Sequence, residues 1–335
     1  MRVFPSDIGV PGHAMRRYVL GGLVPGPGPA DMGTSWGEGA EDHHGRFLLV
    51  TDPGGGTLRV LDLALRRWGP PVPDLPGTTQ VLFDPLREVF WANCPPRQEI
   101  VEVAEGSQGF RVLHHQPVEC EPGTFTLDPL TGWVLLLEAV GRSLVAVDPY
   151  ARVIRYEQSL SSPAVSLAAI PGPGRVAVAF QRGEVHLLDT PSGSLARTLP
   201  SIPGAPTRLL ARSGGKEVVV STRVSGLFRL PLTGEPPSLL APLPLEDGPV
   251  VELPGGAGLA AAQPLSGEVA ILEGPRPGRM DRVFVEKGPL GLVADPQEPR
   301  LWVLCSRSHR VAWLQRDERG DDGSAPPGPG GAPRP

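Results

Sequence analysis

The 335-residue sequence predicts an all-β ring of repeated four-stranded sheets, on three observations. Glycine and proline, 43 and 42 residues spread throughout, make up about a quarter of the chain, which favours many short elements joined by turns over long helices. A short apolar strand ending near an acidic residue recurs seven times, as LRVLDL from Leu58, IVEVAE from Ile100, LVAVDP from Leu144, VHLLDT from Val185, LFRLPL from Leu227, VAILEG from Val269 and VAWLQR from Val311. Successive copies start 42, 44, 41, 42, 42 and 42 residues apart, and a fixed period of this size marks a stacked or closed repeat.

The other strands keep step with this marker. Before each copy stands a second apolar strand, in order RFLLVTD, EVFWANC, GWVLLLEA, GRVAVAFQ, KEVVVSTR, GLAAAQP and PRLWVLCS. A few turn-forming residues separate each from its marker, so every pair reads as a hairpin. The segment TGWVLLLEAVGRSLVAVDPY, residues 131–150, could be mistaken for a membrane or buried helix, yet its counterparts elsewhere identify it as such a hairpin, buried on both faces. First strands end in turns such as VLFDPLRE, FTLDPLTG, LAAIPGPG and LVADPQEP, where proline and glycine supply the φ values needed for reversal. Fourth strands follow in most copies, for example RVIRYEQSL at 152–160 and RMDRVFVEKG at 279–288.

Four strands in about 42 residues make one blade of a β-propeller. A blade cannot bury both faces alone, so the seven units are expected to stack in a ring. Residues 289–317 supply three strands of the last blade, while RRYVLGGLV at 16–24 has no place in the first. Joining them completes the blade, latches the ring and removes its open edges. The inner strand of the first blade must come from DMGTSWGEGAED, which is polar and glycine-rich. The expected organisation is an N-terminal extension at 1–15, one propeller domain at 16–317 with its latch at 16–24, and a disordered Pro/Gly-rich tail at 318–335.

LDPLTGWVLLLEAVGRSLVAVDP, and more loosely FDPLREVFWANCPPRQEIVEVAE and FLLVTD, resemble the YVTN-type repeat of the WD40/YVTN-like propeller superfamily. The resemblance covers roughly 42–317 and is carried by the DP turn, the YVAN-like second strand and the VxVID-like third strand. It implies the fold far more than an activity, since the family holds lactonases, electron-transfer subunits and scaffolds. No catalytic or cofactor residue of the family can be matched here, and the six tryptophans do not recur at one blade position.

Charge, hydropathy and cysteine usage exclude several function classes. The net charge of −5 is spread thinly, and no basic stripe interleaved with aromatics marks a nucleic-acid surface. No run of apolar residues is long enough to span a membrane. Starting at Met15, MRRYVLGGLVPGPGPA would imitate a signal peptide, but YVLGGLV lies at the lower limit for its apolar region. Three cysteines form neither a CxxC pair nor a disulfide framework, which points to reduced thiols and a cytoplasmic protein. The glycines at 54–56 belong to no phosphate-binding motif.

Any chemistry is expected at the channel mouth, where inner strands begin. The starting positions are Gln80, Thr124, Ser166, Arg208, a valine at 250 or 251, and Gly291, with Glu252 just beyond. Gln80, Thr124, Ser166 and Arg208 are expected to line the mouth, and Arg208 and Glu252 are the weak candidates for binding and acid-base work. Cys94, Cys120, Cys305 and His309 fall in turns of that same face, but on blades too far apart for one zinc ion. His114 and His115 alternate on an outer strand, and His43 and His44 read as exposed turn residues on the opposite face. The expectation is therefore a scaffold without metal or cofactor, a subunit or accessory factor of a larger assembly that meets another protein through one face. The alternative is a lactonase-like or hydrolase-like enzyme binding a small molecule at the mouth.

Overall fold

The computed structural model describes residues 18–27, 36–243, 248–274 and 280–316. The extension at 1–15 and the tail at 318–335 lie outside these residues, as do Arg16 and Arg17 of the expected latch.

Seven antiparallel four-stranded sheets form the seven blades of a propeller. The inner strands of blades 1 to 7 are Gly39–Glu41, Val81–Asp84, Pro122–Leu127, Ala164–Ile170, Pro206–Ala211, Val250–Glu252 and Pro289–Ala294. In blades 1 to 6 the chain runs outward through four consecutive strands, while the outer strand of blade 7 is Tyr18–Pro25, paired antiparallel with Arg310–Arg316. Val24 stands opposite Val311 and Tyr18 opposite Arg316. YVLGGLVP thus serves as the latch. Its register shifts between Leu20 and Gly22, where the chain passes beneath an indole: a Cβ on Gly22 would sit 2.2 Å from Trp313.

The segment at 131–150 forms the hairpin Val134–Glu138 and Ser143–Asp148, with Val134 opposite Val147 and Leu137 opposite Leu144. Gly141 makes the reversal with φ +69, and a Cβ there would lie 2.0 Å from the carbonyl oxygen of Ala164 in the next blade. Between their polar ends both strands are apolar, because each blade is covered on two sides. The following outer strand, Val153–Ser159, alternates toward solvent.

Seven hydrophobic clusters hold the described residues, one at each interface between blades. Between blades 2 and 3, for example, Trp91, Ile100 and Val103's neighbour Ala104 meet Val134, Leu136 and Val147. Fully burying one such aliphatic side chain contributes about 1.5–3 kcal/mol. Val24 and Trp313 join Leu48, Val50 and Trp302 between blades 7 and 1, so closure uses the same packing as every other interface. The turns after the inner strands are held by aspartates, as the sequence's DP pairs suggest: Asp84 accepts the Leu86 N–H at 3.0 Å, and Asp295 accepts those of Gln297 and Glu298 at 2.9 Å. Blade 1 is the least regular, with three residues in its inner strand and only Arg67–Trp68 in its outer strand. No helix among the described residues is long and apolar enough to cross a membrane.

Candidate functional site at the channel mouth

Inner strands that begin at one face bring their first residues around the axis. Two contiguous spaces occupy it: a mouth cavity of about 350 Å³ and a channel cavity of about 330 Å³ below. Gln80, Thr124, Ser166 and Arg208 line both, and Val250, Val251 and Gly291 line the deeper one. Glu38 also lines both, and among the described residues it and Arg208 are the only titratable side chains on either wall.

These polar groups are largely committed to the ring itself. Gln80 spans two blades, its Oε1 accepting the Phe125 N–H at 2.8 Å and its Nε2 donating to the Phe125 carbonyl at 3.1 Å. Ser166 Oγ accepts the Leu209 N–H at 2.9 Å, again from the next blade. Behind Gln80 lies Asn93, fully buried. Its Oδ1 accepts the N–H groups of Thr79 and Gln80, and its Nδ2 donates to Thr79 Oγ1 and the Gly123 carbonyl, all at 3.0 Å. Such fully paired buried amides fix neighbouring strands in register.

Arg208 Nη1 donates to Glu38 Oε1, joining blade 5 to the segment leading into blade 1. The pair cancels the charge at the mouth. Glu252 is directed elsewhere: its Oε1 lies 3.0 Å from Arg212 Nε, and its Oε2 accepts the Ser213 N–H at 2.6 Å. It lines neither cavity, so Arg208 and Glu252 are not brought to one point. Periodicity does not mark Glu38, which lies in the glycine-rich GEGAED, the copy least like the others. An acidic residue at the start of that irregular inner strand was its one visible signal.

The thiols are free and separately housed. Cys94 and Cys305 are buried, and Cys120 is half-buried. Burial raises the Cys94 thiol above its ordinary range, Cys120 to about 11 and Cys305 to about 12. Cys305 packs between blades 6 and 7, and Cys120 against the cluster of blades 2 and 3, so these thiols and His309 form no common ligand set. On an outer strand, His115 Nδ1 lies 3.0 Å from Glu99 Oε1.

No protein-family model matches the chain, and no curated protein is similar to it. Solved structures are similar in shape. Hydrazine synthase of Kuenenia stuttgartiensis superposes with a TM-score of 0.72 at 12% identity, covering 86% of this chain and 97% of that one. This chain has the seven-bladed β-propeller fold. A streptogramin B lyase gives 0.71 at 13% identity, over 90% of this propeller and 98% of the lyase. The β-propeller domain of Cps50 (Swd1) from Myceliophteria thermophila gives 0.70 at 13%, over 82% and 95%. At these identities the likeness establishes the fold alone.

Proposed function

We propose that this propeller is a non-catalytic interaction scaffold, a subunit or accessory factor of a larger assembly that receives another protein on its mouth face. The observation that carries the reading is the state of the mouth: its one arginine is neutralised by Glu38, while Gln80 and Ser166 are engaged in bonds between blades. General acid-base chemistry calls for titratable groups converging on a substrate. Around that mouth, turns between second and third strands expose Val140, Val224 and Leu265, at 63%, 79% and 67%. Apolar side chains lifted on rigid turns suit a protein partner. Three free thiols fit a reducing compartment such as the cytoplasm.

The test is affinity capture from the native host with the wild-type chain and with the triple variant V140D/V224D/L265D. A partner retained by the first and lost by the second, with unchanged melting temperature, is the expected result. Recovery of no partner, or of the same partner by both, would overturn the reading. A second reading rests on the mouth cavity of about 350 Å³, which lies within the size range of small-molecule sites. Under it the chain is a lactonase-like or hydrolase-like enzyme in which Glu38 and Arg208 meet the substrate; the likeness to a lyase propeller is compatible with this. Turnover of a lactone panel, abolished in E38Q, would favour it.

A further inference from the structure

On the face opposite the mouth, the turn after the inner strand of blade 1 carries His43 and His44, and the corresponding turn of blade 2 carries Glu88. One potential ligand atom from each lies within 4.8 Å of the other two. His44 Nε2 is 3.7 Å from Glu88 Oε1, and the two imidazole centroids are 3.7 Å apart. Tetrahedral zinc with bonds of about 2.0–2.1 Å places its ligand atoms about 3.4 Å from one another. The existing spacing is therefore closed by small rotations of His44 and Glu88, whose side chains are 49% and 65% exposed and free to make them.

The third ligand is better fixed. His43 stacks on Phe83 of blade 2 at 25° and 5.6 Å, and its backbone carbonyl accepts the Gln297 Nε2–H from blade 7 at 2.7 Å. Its Nδ1 is buried without a hydrogen-bond partner, although buried ring nitrogens ordinarily find one.

We propose that His43, His44 and Glu88 form a binding site for a divalent transition metal of the zinc class, clipping blade 1 to blade 2. Two imidazoles and one carboxylate suit zinc, cobalt, nickel or copper; calcium and magnesium prefer oxygen ligands throughout. Three protein ligands leave a position for water, so the site stays accessible from solvent.

The experiment uses the full chain without an affinity tag, stripped of metal with EDTA and desalted. Calorimetric titration with zinc chloride is expected to show one ion per chain at micromolar or tighter affinity, no heat with calcium or magnesium, and a higher melting temperature with zinc. Cobalt(II) is expected to develop the intense visible bands of a four-coordinate site. H44A and E88Q each should weaken zinc binding at least about tenfold. Both residues are exposed, so circular dichroism and the metal-free melting temperature should stay at wild-type values. Binding only at millimolar zinc, a cobalt spectrum like that of the aqueous ion, or affinity unchanged in the double variant would each overturn the site.

Discussion

Glu41 shows how much one residue's neighbours matter. Glu41 and Glu252 both end inner strands, and each meets the first turn residue of the preceding blade. For Glu252 that residue is Arg212, with which it pairs at 3.0 Å. For Glu41 it is Asp295, a like charge, and Glu41 is only 7% exposed. Burial, then Asp295 and Asp42, push its carboxyl up to about 9 from an ordinary 4.5. Because the folded value is the higher one, the folded chain binds the extra proton between these values, and stability falls as pH rises through that window. In EDTA-treated protein, Glu41→Gln keeps the shape and removes the titration. It should be near neutral at pH 4.5 and stabilising at pH 9 by on the order of 1–3 kcal/mol. Urea denaturation at both pH values checks this, and a difference independent of pH would refute it.

Among elements, the latch strand has the clearest consequence. Tyr18–Pro25 covers the edge of Arg310–Arg316 and completes the apolar cluster of Val24, Trp313 and Leu48. Deleting residues 1–25 should expose that edge, lower the melting temperature by more than about 5 °C and promote self-association. A truncated chain that melts as the wild type does would show that closure adds nothing to stability. Gly22→Val offers a milder version, since its side chain must displace the Trp313 indole. The hairpin at 134–148 needs no such support from a distant terminus. Its turn, its paired strands and their two buried faces are adjacent in the chain, which is why repetition alone identified it.

At the scale of the whole ring, Arg208 and Glu38 meet across 170 residues, with exposures of 38% and 25%. A pair so accessible to water contributes about 0–1 kcal/mol. Arg208→Ala should therefore leave the fold and melting temperature nearly unchanged while giving the mouth a net negative charge. If the scaffold reading is right, partner capture persists in this variant. Loss of capture with the fold intact would place the partner's contact inside the mouth instead of on its apolar rim.

The blade period, the hairpins and the closing strand could all be read from the chain, because turn chemistry and apolar burial are local and each is repeated seven times. Positions at the starts of the inner strands follow from the same register, Gln80, Thr124, Ser166 and Arg208 among them. Their partners do not. Glu38 reaches Arg208 and Asp295 reaches Glu41 only after the ring has closed, and Glu88 reaches His44 only once blade 2 has packed on blade 1. Each of these meetings joins side chains from different blades, at distances set by the packing between sheets. Local periodicity carries no information about them, and they decide which charges are cancelled, which stay buried and where a metal could be held.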